Sequence, residues 1–119
     1  MGIFDHVLQY TKSRSQFGVP IASFQLVQER LARMLGTIQS MFLLAWRTSK
    51  LYEQGKLTNG QSSLAKAQNT LRGREVAALG REILGGNGIV GDYHVARLFN
   101  DMESLYTYEG TYDVNSLYA

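Results

Sequence analysis

Apolar residues recur three and four positions apart along most of this chain, the period of a helix with one side facing a core. Val27, Leu31, Met34, Ile38, Met41, Ala45 and Tyr52 draw one such stripe, with a skipped turn at Thr48. The stripe predicts a helix of about eight turns. Ser23 is placed as its N-cap, and the only proline, Pro20, stands just outside it. The helix is expected to end near Gly55. In "KLTNGQ", Thr58 and Gln61 have capping-box spacing and open a second long helix, expected to run to Leu84. Leu64, Ala67, Leu71 and Ala78 share one side of it, and such small residues suit close packing on a neighbour. "GGNG", Gly85 to Gly88, breaks this helix, since paired glycines favour a left-handed C-cap. A third helix from about Asp92 to Leu105 carries Val95, Leu98 and Phe99. Residues 3–14 read as a short helix ahead of these, and Thr111 or Tyr112 begins a last one.

Long helices joined by short turns predict an all-α fold, an up-and-down four-helix bundle. The first helix opens without a cap and the last spans barely two turns. The bundle therefore reads as truncated at both ends, with residues 1–119 one domain of something larger.

Composition narrows the function classes. Hydrophobic residues make up 45% and charged residues 18%, as in a globular protein. A net charge of +2 is too weak to argue for nucleic acid or an anionic membrane. Cysteine is absent, which excludes disulfides and thiolate metal sites. His6 and His94 lack a second ligand at metal spacing, so no metal is expected. No apolar run approaches the ~20 residues of a membrane span. The opening "MGIFDHVLQY" lacks the charged and long apolar stretches of a signal peptide.

Gly86, Gly88 and Gly91 spell G-x-G-x-x-G, the dinucleotide-binding fingerprint. That fingerprint works only after a β-strand. Here it follows a long helix, so the glycines are read as a helix stop or a close approach of backbone to ligand.

Three segments in order, "RSQFG" (Arg14–Gly18), "LGGNG" (Leu84–Gly88) and "YEGT" (Tyr108–Thr111), resemble the C-terminal domain of the acyl-CoA dehydrogenase family. The resemblance covers essentially the whole chain. "YTYEGTYDVN" and "GREILGGNGIVGDYHVAR" look closest to glutaryl-CoA dehydrogenases and to short-chain acyl-CoA oxidases of plant peroxisomes. The resemblance implies a three-domain FAD enzyme acting on an acyl-CoA, of which this chain matches the last domain. It further implies a homotetramer for the full-length enzyme, and electron-transfer flavoprotein as partner of a dehydrogenase. The compartment would be mitochondrial matrix, peroxisome or bacterial cytoplasm.

Glu109 resembles the family's base, which takes the proton α to the thioester. Gly110 would leave room for the thioester, with Tyr108 beside it. Partial burial against Tyr106 and Tyr108 would suit a base. From its neighbours alone, Glu109 reads equally well as a helix N-terminal cap. Arg14 and Gln16 resemble positions that reach the flavin pyrophosphate from a neighbouring subunit, a planar donor fork suiting phosphate oxygens. A lone arginine is more commonly half of a surface ion pair. Phe17 reads as core anchor or flavin contact, while Phe24, beside Gln25, reads as flavin contact or hydrophobic staple. Glu82, Ile83, Leu84, Gly85 and Gly86 match a segment along the adenosine end of FAD, with Glu82 where many relatives have glutamine. Thr111 and Asp113 match further FAD contacts at a helix N-terminus, and Asp113 again replaces a glutamine.

Two alternatives stand beside a dehydrogenase. An oxidase would share the α,β-dehydrogenation step and pass electrons to oxygen. A catalytically inactive helical assembly module would use the bundle alone. Either way, uncovered apolar surface on the long helix predicts a dimer or larger, with Leu43, Trp46 or Phe99 at the contact.

Overall fold

The computed structural model describes all residues from Met1 to Ala119. Helix α1 (Gly2–Ser13) leads into a two-residue hairpin, β1 (Ser15–Gln16) against β2 (Val19–Pro20), with Ser15 opposite Pro20 and Gln16 opposite Val19. The hairpin went unpredicted, because two residues per strand leave no alternation to read. Its corner is Phe17 and Gly18, with φ of 54° and 82°. Positive φ at both central residues is what a tight twisted hairpin needs.

The helices follow as α2 (Gln25–Glu53), α3 (Asn59–Ile83), α4 (Val95–Thr107) and α5 (Tyr112–Leu117). The fold is all-α in its frame, with α3 at the centre and the other four helices packed on it. Thr58 and Gln61 close the predicted capping box: Gln61 N donates to Thr58 Oγ1, and Thr58 N to Gln61 Oε1. Ser23 does not cap α2. A 3-10 turn over Ile21–Ser23 intervenes, and Phe24 takes the N-cap position without a side-chain bond. Another 3-10 turn at Gly91–Tyr93 delays α4 to Val95, with His94 in the left-handed region at φ 58°.

The core comprises Val7, Met34, Val76, Leu79, Ile83, Leu84 and Val95. On α2, Val27 through Met41 face inward as predicted, but Ala45 is exposed and Tyr52 is 75% exposed. Leu44 and Leu51, each one position earlier, take their place, and Thr48, at the turn the stripe skipped, is half-buried with them. On α3, Ala67 is buried but Leu64 is exposed, while Ala65, Gly73, Val76, Ala77, Leu79 and Gly80 are buried. A central helix is covered on several sides, so a single-stripe reading understates it. Small residues set the spacing. A Cβ at Gly73 would stand 2.7 Å from Met102 Sδ, and one at Gly80 only 2.6 Å from Ile3 Cγ2. His6 and His94, far apart in sequence, end with ring centroids 5.4 Å apart. No helix is long and apolar enough to cross a membrane.

Candidate functional site

The predicted site residues fall into two groups at opposite ends of α3. The first surrounds a cavity of about 420 Å³ where the C-terminal end of α3 meets the end of α1. It gathers Arg14, Gln16, Glu82, Ile83, Leu84, Gly85 and Gly86, and adds Tyr10, Ile21 and Asn87, which the sequence reading passed over. Asn87 Nδ2 donates to Tyr10 Oη at 2.9 Å and ties the helix stop to α1. Both could have been found, since Asn87 lies inside "LGGNG" and Tyr10 is one turn before Arg14, the residue that caps the end of α1.

Each glycine of the stop has its own reason. Gly85 has φ 57°, the left-handed conformation that ends α3. A Cβ on Gly88 would meet Arg81 O at 2.2 Å, so the turn packs directly on the helix backbone. A Cβ on Gly86 would meet nothing within 4 Å, so that glycine leaves the cavity wall bare. Arg14 takes part in none of the five ion pairs, so its guanidinium fork is free for a ligand. Glu82 has only a loose, half-exposed contact with Arg30 at 3.9 Å. A free guanidinium, a carboxylate, bare backbone and apolar Ile21 suit a ligand carrying phosphate, hydroxyls and a flat apolar part.

Phe17 is 93% exposed, which removes the core-anchor reading. It stands edge-on to Phe24, centroids 6.1 Å apart. Phe24 is the N-cap itself rather than the residue before it, so it is not the predicted staple. Gln25 is exposed on the first turn of α2.

The second group lies at the other end of α3, roughly 24 Å away at about 1.5 Å per residue between positions 66 and 82. Here the chain passes from α4 to α5 through Tyr108, Glu109, Gly110 and Thr111. Glu109 has φ 54° and Gly110 φ 89°. A non-glycine residue held there costs about 1–3 kcal/mol and needs support from its surroundings. The support is visible. Lys66 Nζ, from α3, donates to the carbonyls of Tyr106 (3.3 Å), Tyr108 (2.9 Å) and Gly110. Asn115 Nδ2, from α5, donates to Gly110 O at 2.7 Å and Thr111 O at 3.1 Å.

Three expectations change at this loop. Glu109 is exposed rather than partly buried. Tyr106 does not flank it: that ring stacks on Tyr112 at 6.0 Å and lies under the Arg74 guanidinium, 4.2 Å from its centroid. The space beside Gly110 belongs to Asn115, whose Nδ2 would stand 2.7 Å from an added Cβ. Tyr108 is half exposed, Asp113 is exposed, and Thr111 caps α5 by accepting from Val114 N at 3.4 Å. Glu109 therefore does not cap α5; Thr111 does.

Comparison with known proteins agrees with this architecture. Residues 1–117 match the family model described as acyl-CoA dehydrogenase, C-terminal domain. The chain belongs to the acyl-CoA dehydrogenase family. It is similar to a solved glutaryl-CoA dehydrogenase from Mycobacterium smegmatis, at 40% identity and TM-score 0.93, covering 98% of this chain and 30% of that one. A second glutaryl-CoA dehydrogenase structure from that organism, in complex with FADH2, matches at 34% identity and TM-score 0.93 over 98% of this chain and 30% of that one. Among curated relatives, the caffeyl-CoA reductase-Etf complex subunit CarC of Acetobacterium woodii is 31% identical over 98% of this chain and 31% of its own. The chain thus spans about 30% of the length of the first curated relatives it matches.

Proposed function

We propose that this chain is the C-terminal domain of an FAD-dependent enzyme that dehydrogenates an acyl-CoA between its α and β carbons. The observation that carries the reading is Glu109, an exposed carboxylate held at φ 54° in a turn braced from two helices. Strain maintained at an exposed acidic residue points to a role outside the fold. Glu109 would take the α-proton of the thioester as general base, with its carboxylate oxygen as acceptor. Bound FAD would supply the hydride acceptor for the β-carbon.

The chain's own residues divide the cofactor work. Arg14 and Gln16 would hold pyrophosphate oxygens, and Glu82 through Gly86 would line the adenosine end. The cavity of about 420 Å³ suits part of a dinucleotide, not all of it. Glu109 lies at the far end of α3 from this cavity, so the two groups of one chain would serve different FAD molecules. A cofactor shared between two copies accounts for both groups, which supports a homo-oligomeric enzyme. Phe17, Phe24, Gln25, Thr111 and Asp113 would add contacts from the two rims, and Tyr108 and Gly110 would flank the acyl-CoA. The Etf complex named for the Acetobacterium woodii relative supports electron-transfer flavoprotein as the redox partner.

The test is Glu109→Gln in the flavin-loaded enzyme that carries this chain. Flavin binding should survive, while bleaching of the flavin by acyl-CoA falls by about 100-fold or more. Normal bleaching would overturn the assignment. Hydrogen peroxide release without electron-transfer flavoprotein would make oxygen the acceptor instead.

A further inference from the structure

Lys66 is the one cation whose bonds go to the Glu109 turn. Half-buried on α3, it takes part in none of the chain's ion pairs. An ammonium has three N–H donors and no acceptor. All three have carbonyl partners here: Tyr106, Tyr108 and Gly110. Tyr106 O is among the last carbonyls of α4, which have no partner within the helix. A positive charge at a helix C-terminus is also favoured by the helix dipole. The ammonium thus gathers alternate carbonyls around itself, and Glu109 is the residue between the second and the third.

We propose that Lys66 is a positioning residue for Glu109, its ammonium fixing the backbone turn that presents the carboxylate. The proposal rests on Glu109 being the base. Alternate carbonyls drawn toward α3 leave the intervening residue on the outer side, which is where the exposed Glu109 stands. The left-handed φ of Glu109 and that of Gly110 are the dihedrals this convergence imposes. Asn115 closes the same turn from α5 and shares the Gly110 carbonyl with Lys66. Asn115 alone reaches only Gly110 and Thr111, both beyond Glu109. Lys66 is the group that holds the turn on both sides of it.

Lys66→Met keeps the stem and removes the donors. In the flavin-loaded enzyme, the limiting rate of flavin bleaching by acyl-CoA should fall about 10- to 100-fold, the scale of a misplaced reacting group. Half-saturation by acyl-CoA should shift less than the rate does, by about threefold, since Tyr108 and Gly110 of the same turn also flank the substrate. Amide hydrogen exchange at residues 106–111 should quicken while the rest of α3 is unchanged. In Lys66→Ala, added propylammonium should restore bleaching and propanol should not, because the carbonyl cage asks for an ammonium. That rescue distinguishes a positioning charge from a merely structural side chain, and holds even where Lys66→Met folds poorly. Unchanged exchange at 106–111, or a bleaching rate within about twofold of the parent, would overturn the proposal. A wild-type rate in Lys66→Met beside an inactive Glu109→Gln removes the Lys66 role alone. An active Glu109→Gln removes the base reading, and this proposal with it.

Discussion

Gly110 shows how one residue can be fixed by two requirements at once. Its φ of 89° disfavours any side chain, and an added Cβ would press on the Asn115 amide at 2.7 Å. Gly110→Ala should destabilise the chain by about 1–3 kcal/mol, read as a lower thermal midpoint. An unchanged midpoint would contradict the turn geometry. Glu75 is a second residue whose setting has a measurable sign. Arg33 donates to its carboxylate and is the largest influence, holding it below the usual carboxylate range; burial opposes this, and Arg72 adds a further, smaller lowering. A depressed folded value means that the pairing stabilises above the unfolded value of about 4.3 and is lost as pH falls through the folded one. The arginine partners are half exposed, so solvent limits the contribution to about 0.5–1 kcal/mol. Glu75→Gln should lower stability by that amount at pH 7 and by almost nothing near pH 3. Urea titrations at both pH values decide it: an equal deficit at both would rule out the ion pairs as its source.

At the scale of the helix, glycine takes opposite signs in two places. Gly36 lies within α2, and a Cβ there meets nothing within 4 Å. Gly36→Ala should therefore stabilise the isolated chain by about 0.5–1 kcal/mol, the helix-propensity difference. Gly80 lies within α3, where the same methyl would stand 2.6 Å from Ile3 Cγ2 and 3.1 Å from Val7 Cγ2. Overpacking of about 1–3 kcal/mol outweighs the propensity gain, so Gly80→Ala should destabilise and loosen α1 from α3. Denaturant midpoints of the two variants should move in opposite directions. Movement of both upward would mean that α1 yields to the methyl without loss.

The whole molecule is long and thinly covered, 55 × 23 × 19 Å, with only 14 of 119 residues buried. The outer face of α2 leaves Leu35, Phe42, Leu43 and Trp46 uncovered at 40%, 69%, 60% and 54% exposure. With Met1, Ile38 and Gln39, three of these line an apolar groove of about 560 Å³. Exposed apolar area is worth about 25 cal/mol per Å² when removed from water, so a few hundred Å² reaches several kcal/mol. The isolated chain should bury this face against a second copy and sediment as a dimer or larger at micromolar concentration. Phe99, half-buried against the rest of the bundle, offers less to such a contact than Leu43 or Trp46. Sedimentation equilibrium gives the answer, and a well-folded strict monomer across that range would refute it.

The sequence by itself determined what depends on neighbours in the chain. Helical periods, the Thr58–Gln61 box, the left-handed stop at Gly85 and the Thr111 start of α5 are local, because turns and caps are closed by residues three or four apart. The motifs around Arg14, Glu82 and Glu109 were legible for a similar reason, as short runs with a recognisable order. Tertiary structure decided what needed distance. Only packing made α3 central and turned half-buried Leu44, Thr48 and Leu51 of α2 inward in place of Ala45 and Tyr52. Only the fold brought Tyr10 to Asn87, and placed the cavity and Glu109 at opposite ends of one helix. Lys66 was invisible among ordinary helix lysines, since its partners lie forty and more positions away. A hydrogen bond between remote segments leaves no period in the sequence, and it is such bonds that hold Glu109 in place.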